Sequence, residues 1–465
     1  MSIAFQPLPD STLPIFRAER AGESWFYAPG YLVLASPDQA EAFAAQLAAP
    51  QPDHPTALEL RQRAGQALAS RQASLNEPFA PLCLTLYLNN TCNLACAYCY
   101  ARPQAKSAAR LSLAAIRSAA QLVAANCAEQ GVRMTVVFHG GGEPSLPLAR
   151  LQQALALVEG VAQAHGVGLF RYIATNGVMP AENAAWLAQH FDLIGLSCDG
   201  PPDIQARQRP LRTGESSTPW VERTARLVRQ AGKPLHVRLT LTPATFQRQP
   251  APDLQAEIAA YLCAQLRPQE IHAEPVYTPR LGEAQAGSQP EQAAPGIQAA
   301  EFVQAFLQAR QVARAAGVRW SNSGSRPAEL HGAYCHVFRQ VLNLIPGGQA
   351  TACFRLSRPA ELHPLDMQIG SLSNERYTLD PARVQALRQR LNRLPEPCQT
   401  CFNQFHCTHG CPDHCLAEAA IDQLPEFRCQ VSQLLALAAL EACADELRLQ
   451  APLAGGVRGG EVLAL

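Results

Sequence analysis

The stretch NNTCNLACAYCYA, residues 89–101, carries Cys92, Cys96 and Cys99 in a C-x3-C-x2-C pattern. Four cysteines close a structural tetrahedral metal site, whereas a site built for chemistry keeps one position open. Three thiolates can hold three irons of a [4Fe–4S] cluster and leave the fourth iron to bind a group that is not protein. The alternative is a structural zinc site with a distant fourth ligand, for which His139 is the nearest candidate. A second set reads Cys335-x12-Gly348-x4-Cys353, then Cys398-x2-Cys401-x5-Cys407-x3-Cys411, then Cys429. C-x2-C is also zinc spacing, so one or two zinc ribbons compete with iron–sulfur clusters there. The isolated Cys83, Cys127, Cys198, Cys263 and Cys443 read as buried apolar residues.

The chain has 465 residues and 16 cysteines, and eight of the cysteines fall between Cys335 and Cys429. No apolar run near the start resembles a signal peptide, and no stretch approaches the roughly 20 apolar residues of a membrane span. The expected location is therefore the cytoplasm, where disulfides are rare and clustered cysteines point to metal. The formal net charge is zero, which argues against nucleic acid or an anionic membrane surface as partner. The length suffices for two or three domains.

These residues need elements to position them. ESWFYAPGYLVLAS (23–36) reads as two short strands around Pro29-Gly30, followed by helical patterns near 37–48 and 56–70. From Leu84 strands and helices alternate. The spacing predicts strands at 84–89, 134–138, 169–174, 192–197, 235–241 and 270–275. Helices are expected between them, near 111–128, 148–165, 181–190, 218–231 and 252–265, with another near 298–316. Such a repeat implies a parallel sheet with right-handed crossovers. Six units are too few for a closed eight-fold barrel, so the expected class is α/β, an open partial (β/α)6 barrel. Residues 280–297 read as a polar loop or lid, the chain beyond about 330 as cysteine-rich with little regular structure, and 427–449 as a helix.

In parallel α/β architectures the working groups gather at the C-terminal strand ends. The three cysteines follow strand one, HGGGEP (139–144) follows strand two, TNG (175–177) follows strand three and SCDG (197–200) ends strand four. Four consecutive strand ends thus define one mouth.

The C-x3-C-x2-C loop after the first strand, with Tyr98 before its third cysteine, the downstream GGEP and six βα units resemble the radical S-adenosylmethionine (SAM) superfamily. The resemblance implies that SAM chelates the open iron of one [4Fe–4S] cluster and is cleaved reductively to methionine and a 5′-deoxyadenosyl radical, which abstracts hydrogen. It places Gly141, Gly142, Glu143 and Pro144 where the methionine amino group is received, and Tyr98 near the adenine. Asn176 and Ser197 become candidate ribose or carboxylate contacts. DGPPDIQARQR (199–209) resembles a DG-x8-R stretch that puts Arg209 near the SAM carboxylate, with Arg207 the alternate. That stretch often carries His-Asp where this chain has Gln205-Ala206.

The second cysteine set resembles the SPASM domain of peptide-modifying members of the superfamily. The resemblance implies two auxiliary [4Fe–4S] clusters. Cys398, Cys401, Cys407 and Cys429 would hold one, and Cys335, Cys353 and Cys411 the other. The fourth ligand of the latter stays open among Cys415, His336 and a substrate thiolate. Related sulfatase maturases place an aspartate base after the cysteine corresponding to Cys353; here Phe354 follows. The resemblance therefore implies a maturase that crosslinks side chains of a ribosomally made peptide by a thioether or carbon–carbon bond. Its expected partners are a precursor peptide or protein and a reductant such as flavodoxin or ferredoxin. The alternatives are a formylglycine-forming maturase, a relative acting on a small molecule, and a non-catalytic metal-stabilised binding protein. The expected division is 1–80 as an extension and candidate leader-peptide recognition element, 81–325 as the barrel, 326–432 as the auxiliary-cluster domain and 433–465 as a terminal helix and tail. Cys96→Ala is expected to abolish SAM cleavage while leaving the auxiliary clusters largely in place; full 5′-deoxyadenosine production by that variant contradicts the assignment.

Overall fold

The computed structural model describes residues 5–9, 11–101, 103, 106, 108–246, 253–276, 297–324, 326–330, 335–357, 366–373, 376–407, 426–450 and 456–462. Two compact units emerge, one of residues 78–322 with 335–387, the other of residues 1–77, 323–334 and 388–465.

The first unit is built on one 11-stranded sheet. Its strands begin with β1 (Cys83–Leu86), β2 (Met134–Phe138), β3 (Leu169–Thr175), β4 (Leu193–Ser197), β5 (Leu235–Leu241) and β6 (Glu270–Pro275). All six pair in parallel and in sequence order. β7 (Arg319–Ser321) extends the row beyond β6, also in parallel. The helices α1 (Leu113–Gln130), α2 (Leu148–Ala164), α3 (Ala181–His190), α4 (Pro202–Gln208), α5 (Thr218–Gln230), α6 (Leu254–Gln265) and α7 (Ala299–Ala315) supply the crossovers. Local sequence fixes their ends. Ser112 caps α1 by accepting a bond from the Ala115 amide at 3.1 Å, and Gly131 closes it in the left-handed region at φ 65°.

The sheet stays open, as expected for a partial barrel. Along β5 and β6 the residues alternate between fully buried and half-buried. Val237, Leu239, Ile271 and Ala273 form the buried set, while Arg238, Thr240, His272 and Glu274 line the other face. That period-2 pattern leaves a polar face at the strand ends where the motifs sit.

The sheet extends further than the strand signals suggest. β8 (Val341–Leu344) pairs in parallel with β1 on the side away from β2. Three antiparallel strands follow it, β9 (Ala350–Thr351), β10 (Gln368–Ser373) and β11 (Arg376–Leu379). Regular structure therefore continues past residue 330, where the cysteine spacing conceals it. Residues 277–296, most of the expected polar loop, lie outside the described residues, as do Cys411 and Cys415.

The second unit joins the two ends of the sequence. A five-stranded antiparallel sheet runs Gln6–Pro7, Phe16–Arg20, Glu23–Ala28, Tyr31–Ala35 and Val457–Glu461. The expected hairpin at Pro29-Gly30 is present, with Gly30 at φ 81°. Helices Ala40–Ala48 and Pro55–Asn76 cover one face through Phe43, Leu60 and Ala64, which pack on Phe26 and Val33. The other face, Trp25, Tyr27, Leu32 and Leu34, packs on helix Glu426–Leu449 through Ala436, Leu440 and Leu447.

Candidate functional site

The cysteine loop has little regular structure of its own, so neighbouring segments must hold it. The GGEP segment does so on one side. The Gly142 amide donates to Asn89 O at 2.9 Å and the Glu143 amide to Thr91 O at 2.8 Å. Asn89 Nδ2 returns bonds to Glu143 O and Leu146 O. The approach leaves no room for a side chain. A Cβ on Gly142 would stand 2.1 Å from Thr91 O, and one on Gly141, at φ 69°, would stand 2.7 Å from Asn89 O. On the other side the stretch after α4 lies along the loop. Ala97 N donates to Gln208 O, Ala95 N to Pro210 O, and Arg212 Nε to Cys92 O at 2.8 Å.

Glu143 is buried. Its Oε1 accepts from the Ser145 amide, the Ser145 hydroxyl and the Thr175 hydroxyl, and its Oε2 from the Asn176 amide at 2.8 Å. Burial pushes the carboxyl above its usual range, and these four donors pull it back. The side chain therefore ties the end of β2 to the end of β3. Asn176 extends the tie. Its Nδ2 lies 3.6 Å from Cys92 Sγ and 2.9 Å from Asn93 Oδ1, while its Oδ1 accepts from Val178 N.

A second group stands beside Cys96. Asp199, wholly buried after β4, accepts through one oxygen from the Tyr98 hydroxyl at 2.7 Å and from Arg209 Nε at 2.9 Å. Its other oxygen accepts from the Thr240 amide. The Arg209 guanidinium lies over the Tyr98 ring at 5.2 Å. Gln205 completes the support by accepting from the Asp199 amide and donating to Ser217, whose hydroxyl donates to Arg209 O. The departure at Gln205 from the related stretch is thus a buried bracket for the Asp199–Arg209 pair. Arg207 is exposed and pairs with Asp203, so Arg209 is the arginine beside the cysteines. Ser197 stands two residues before Asp199, half-buried, opposite Arg238 in the β4–β5 register.

Burial raises the Cys92 thiol to about 12, with Glu143 adding to it. Cys96 rises to about 11, held back by the positive charge of Arg209. His139, the alternative fourth ligand, is pushed down to about 4 by burial and by Arg238, and its ring packs beside Tyr87. Among the described residues no three His, Cys, Asp or Glu side chains are grouped as a single bound ion requires.

Residues 86–247 match the family model described as the radical SAM superfamily. Residues 86–247 therefore form a radical SAM domain. Two solved structures at a TM-score of 0.58 share the fold, and a third is similar at a lower score. "Native anSMEcpe with bound AdoMet" aligns at a TM-score of 0.58 and 16% identity over 78% of this chain and 99% of that one. "Native anSMEcpe with bound AdoMet and Kp18Cys peptide" aligns at 0.58 and 17%, over 78% and 99%. SuiB of Streptococcus suis, bound to S-adenosylmethionine, aligns at 0.49 and 14%, over 85% and 95%.

A radical SAM domain implies SAM and one [4Fe–4S] cluster as cofactors. The donor set of this radical SAM domain fits them: three adjacent thiols, a glycine backbone at van der Waals limit and a buried arginine. When bound, the pair supplies a one-electron cleavage of the sulfonium. The chain's own part is positioning. Asp199 and Glu143 carry much of it, and each sits in a sequence motif, Glu143 in GGEP and Asp199 in the DG-x8-R stretch. The signal for Asp199 is an acid before a glycine at a strand end, ten residues ahead of Arg209; Gly200 takes φ 130° there.

The remaining cysteines divide between the units. Cys335 and Cys353 flank the β8–β9 hairpin in the first, tied by the His336 amide donating to Ala352 O at 3.0 Å. Phe354 packs edge-on to Tyr100, and its carbonyl accepts from the Tyr87 hydroxyl. Cys398, Cys401, Cys407 and Cys429 come together in the second unit. The Cys429 thiol is raised to about 12 by burial and by the closeness of Cys407, Cys401 and Cys398. Among the described residues no helix is long and apolar enough to cross a membrane.

Asp199→Ala leaves Arg209 buried without its countercharge, which costs about 3–5 kcal/mol for a buried pair. The variant is expected to melt lower and to bind SAM more weakly, checked by thermal denaturation and equilibrium dialysis. A second outcome follows from the raised thiols. Thiolates are the ligands, so loading the apo chain with iron and sulfide releases protons from Cys92 and Cys96. Below their raised values, apparent affinity is expected to rise by about tenfold per pH unit for each of the two, measured by reconstitution between neutral and mildly alkaline pH.

Proposed function

We propose that this radical SAM enzyme matures a ribosomally made peptide, abstracting hydrogen from one residue and joining side chains by a thioether or carbon–carbon bond. The observation that carries the reading is the second cysteine set. Cys398, Cys401, Cys407 and Cys429 are brought together far from the SAM loop in sequence, as an auxiliary [4Fe–4S] cluster needs. Cys335 and Cys353, adjoining across the β8–β9 hairpin, are the described ligands of a second auxiliary cluster, with Cys411 the third. A fold shared with a protein solved with both AdoMet and a peptide supports a peptide as substrate.

Phe354 bears on which reaction follows. An apolar ring stands where a base would be needed for formylglycine formation, which favours crosslinking over that alternative. The electron for SAM cleavage would come from flavodoxin or ferredoxin in the cytoplasm. The sheet of the second unit is our candidate for leader binding by strand addition. Its Tyr31–Ala35 edge is filled by the chain's own Val457–Glu461. Among the described residues the Phe16–Arg20 edge is paired outward only at Phe16 and Arg17, which leaves it the better candidate.

The test is anaerobic incubation of the full chain with SAM, a reductant and the peptide encoded beside its gene. Peptide that loses the mass of two hydrogens, with matching 5′-deoxyadenosine, and roughly twelve irons per chain are expected. Zinc in place of iron, or turnover of a small molecule with the peptide untouched, overturns the reading.

A further inference from the structure

Gln433 stands at the four-cysteine group without being one of its ligands. It lies four residues after Cys429 on helix Glu426–Leu449, so the two side chains share a helix face. Its Nε2 is 3.7 Å from Cys429 Sγ and 3.6 Å from Cys401 Sγ. A glutamine amide nitrogen carries two N–H groups, one for each sulfur. The neighbouring Ser432 hydroxyl is also near a sulfur, 3.7 Å from Cys407, but its single proton faces a closer acceptor, Gly324 O at 2.5 Å. Gln433 is therefore the side chain whose donors both point at ligand sulfurs.

We infer that Gln433 is a positioning residue that sets the reduction potential of the cluster held by Cys398, Cys401, Cys407 and Cys429. This rests on the auxiliary-cluster reading above. The physical argument is electrostatic. Reduction adds one negative charge, shared between iron and sulfur. N–H dipoles aimed at two of the four thiolate sulfurs stabilise the reduced form more than the oxidised one, which raises the potential. The two sulfurs it reaches come from opposite ends of the set, one in the Cys398–Cys407 loop and one on the helix. Its amide thereby also fixes the loop against the helix.

The test is a redox titration of the anaerobically purified full chain, followed by electron paramagnetic resonance on the signal that Cys401→Ala removes. Gln433→Leu deletes both donors. Gln433→Glu keeps the size and replaces the donors with acceptors. Both variants are expected to keep their iron and to show a lower midpoint potential, lower in Gln433→Glu than in Gln433→Leu. An unchanged midpoint in both, with iron retained, overturns the inference. Loss of the cluster from both variants overturns it too, because the role is then structural. If Cys401→Ala removes neither iron nor signal, the auxiliary-cluster reading itself has failed.

Discussion

A loop without regular structure must hold three sulfur atoms in fixed positions, and the buried carboxylate of Glu143 is the interaction on which that depends. Ionised and alone in the interior it would be costly by several kcal/mol. Four donors drawn from Ser145, Thr175 and Asn176 offset this, at about 1.5–3 kcal/mol net for each bond to a charged group. The result joins two adjacent strand ends into one rigid rim. The glycines before Glu143 then lie flat on the cysteine loop, and Asn176 reaches Cys92. Removing the carboxylate would free the β3 end and the GGEP segment together.

The other rim is electrostatic. Asp199 holds Tyr98 and Arg209 on the same oxygen, so the aromatic ring and the cation are positioned as one body. Arg209 in turn acts on Cys96, whose thiol it draws downward against burial. A guanidinium fixed through Nε is a geometry that suits an arginine and not a lysine. The parallel sheet matters because it brings the β1, β2, β3 and β4 ends, and with them both rims, to one side.

Much of this was legible in sequence because local signals and tertiary demands agree. The six parallel strands announce themselves as short runs alternating with helical patterns at regular spacing, and α3 and α5 fall within a residue of their expected bounds. The three-cysteine loop and GGEP are readable because no other residue types satisfy both the thiolate chemistry and the close backbone approach. What stayed hidden has physical causes. β8 is a four-residue run between cysteines and pairs with β1, far away in sequence, so no local period reveals it. Val457–Glu461 contains two glycines and reads as tail, yet its edge position beside Tyr31–Ala35 needs backbone bonds more than side chains. Gln205 reads as a departure from a motif until its side chain is seen accepting from the Asp199 amide and donating to Ser217.

We propose that the Cys92, Cys96 and Cys99 loop leaves one iron open for SAM. This is tested most directly by the electron paramagnetic resonance spectrum of the reduced protein with and without SAM. The measurement is made on a chain whose Cys398, Cys401, Cys407 and Cys429 are replaced by alanine, so that the signal of that auxiliary cluster is absent. Binding at the open iron predicts that SAM changes the spectrum of the remaining signal, and that the change disappears when Cys96 is also replaced. A spectrum indifferent to SAM would contradict it.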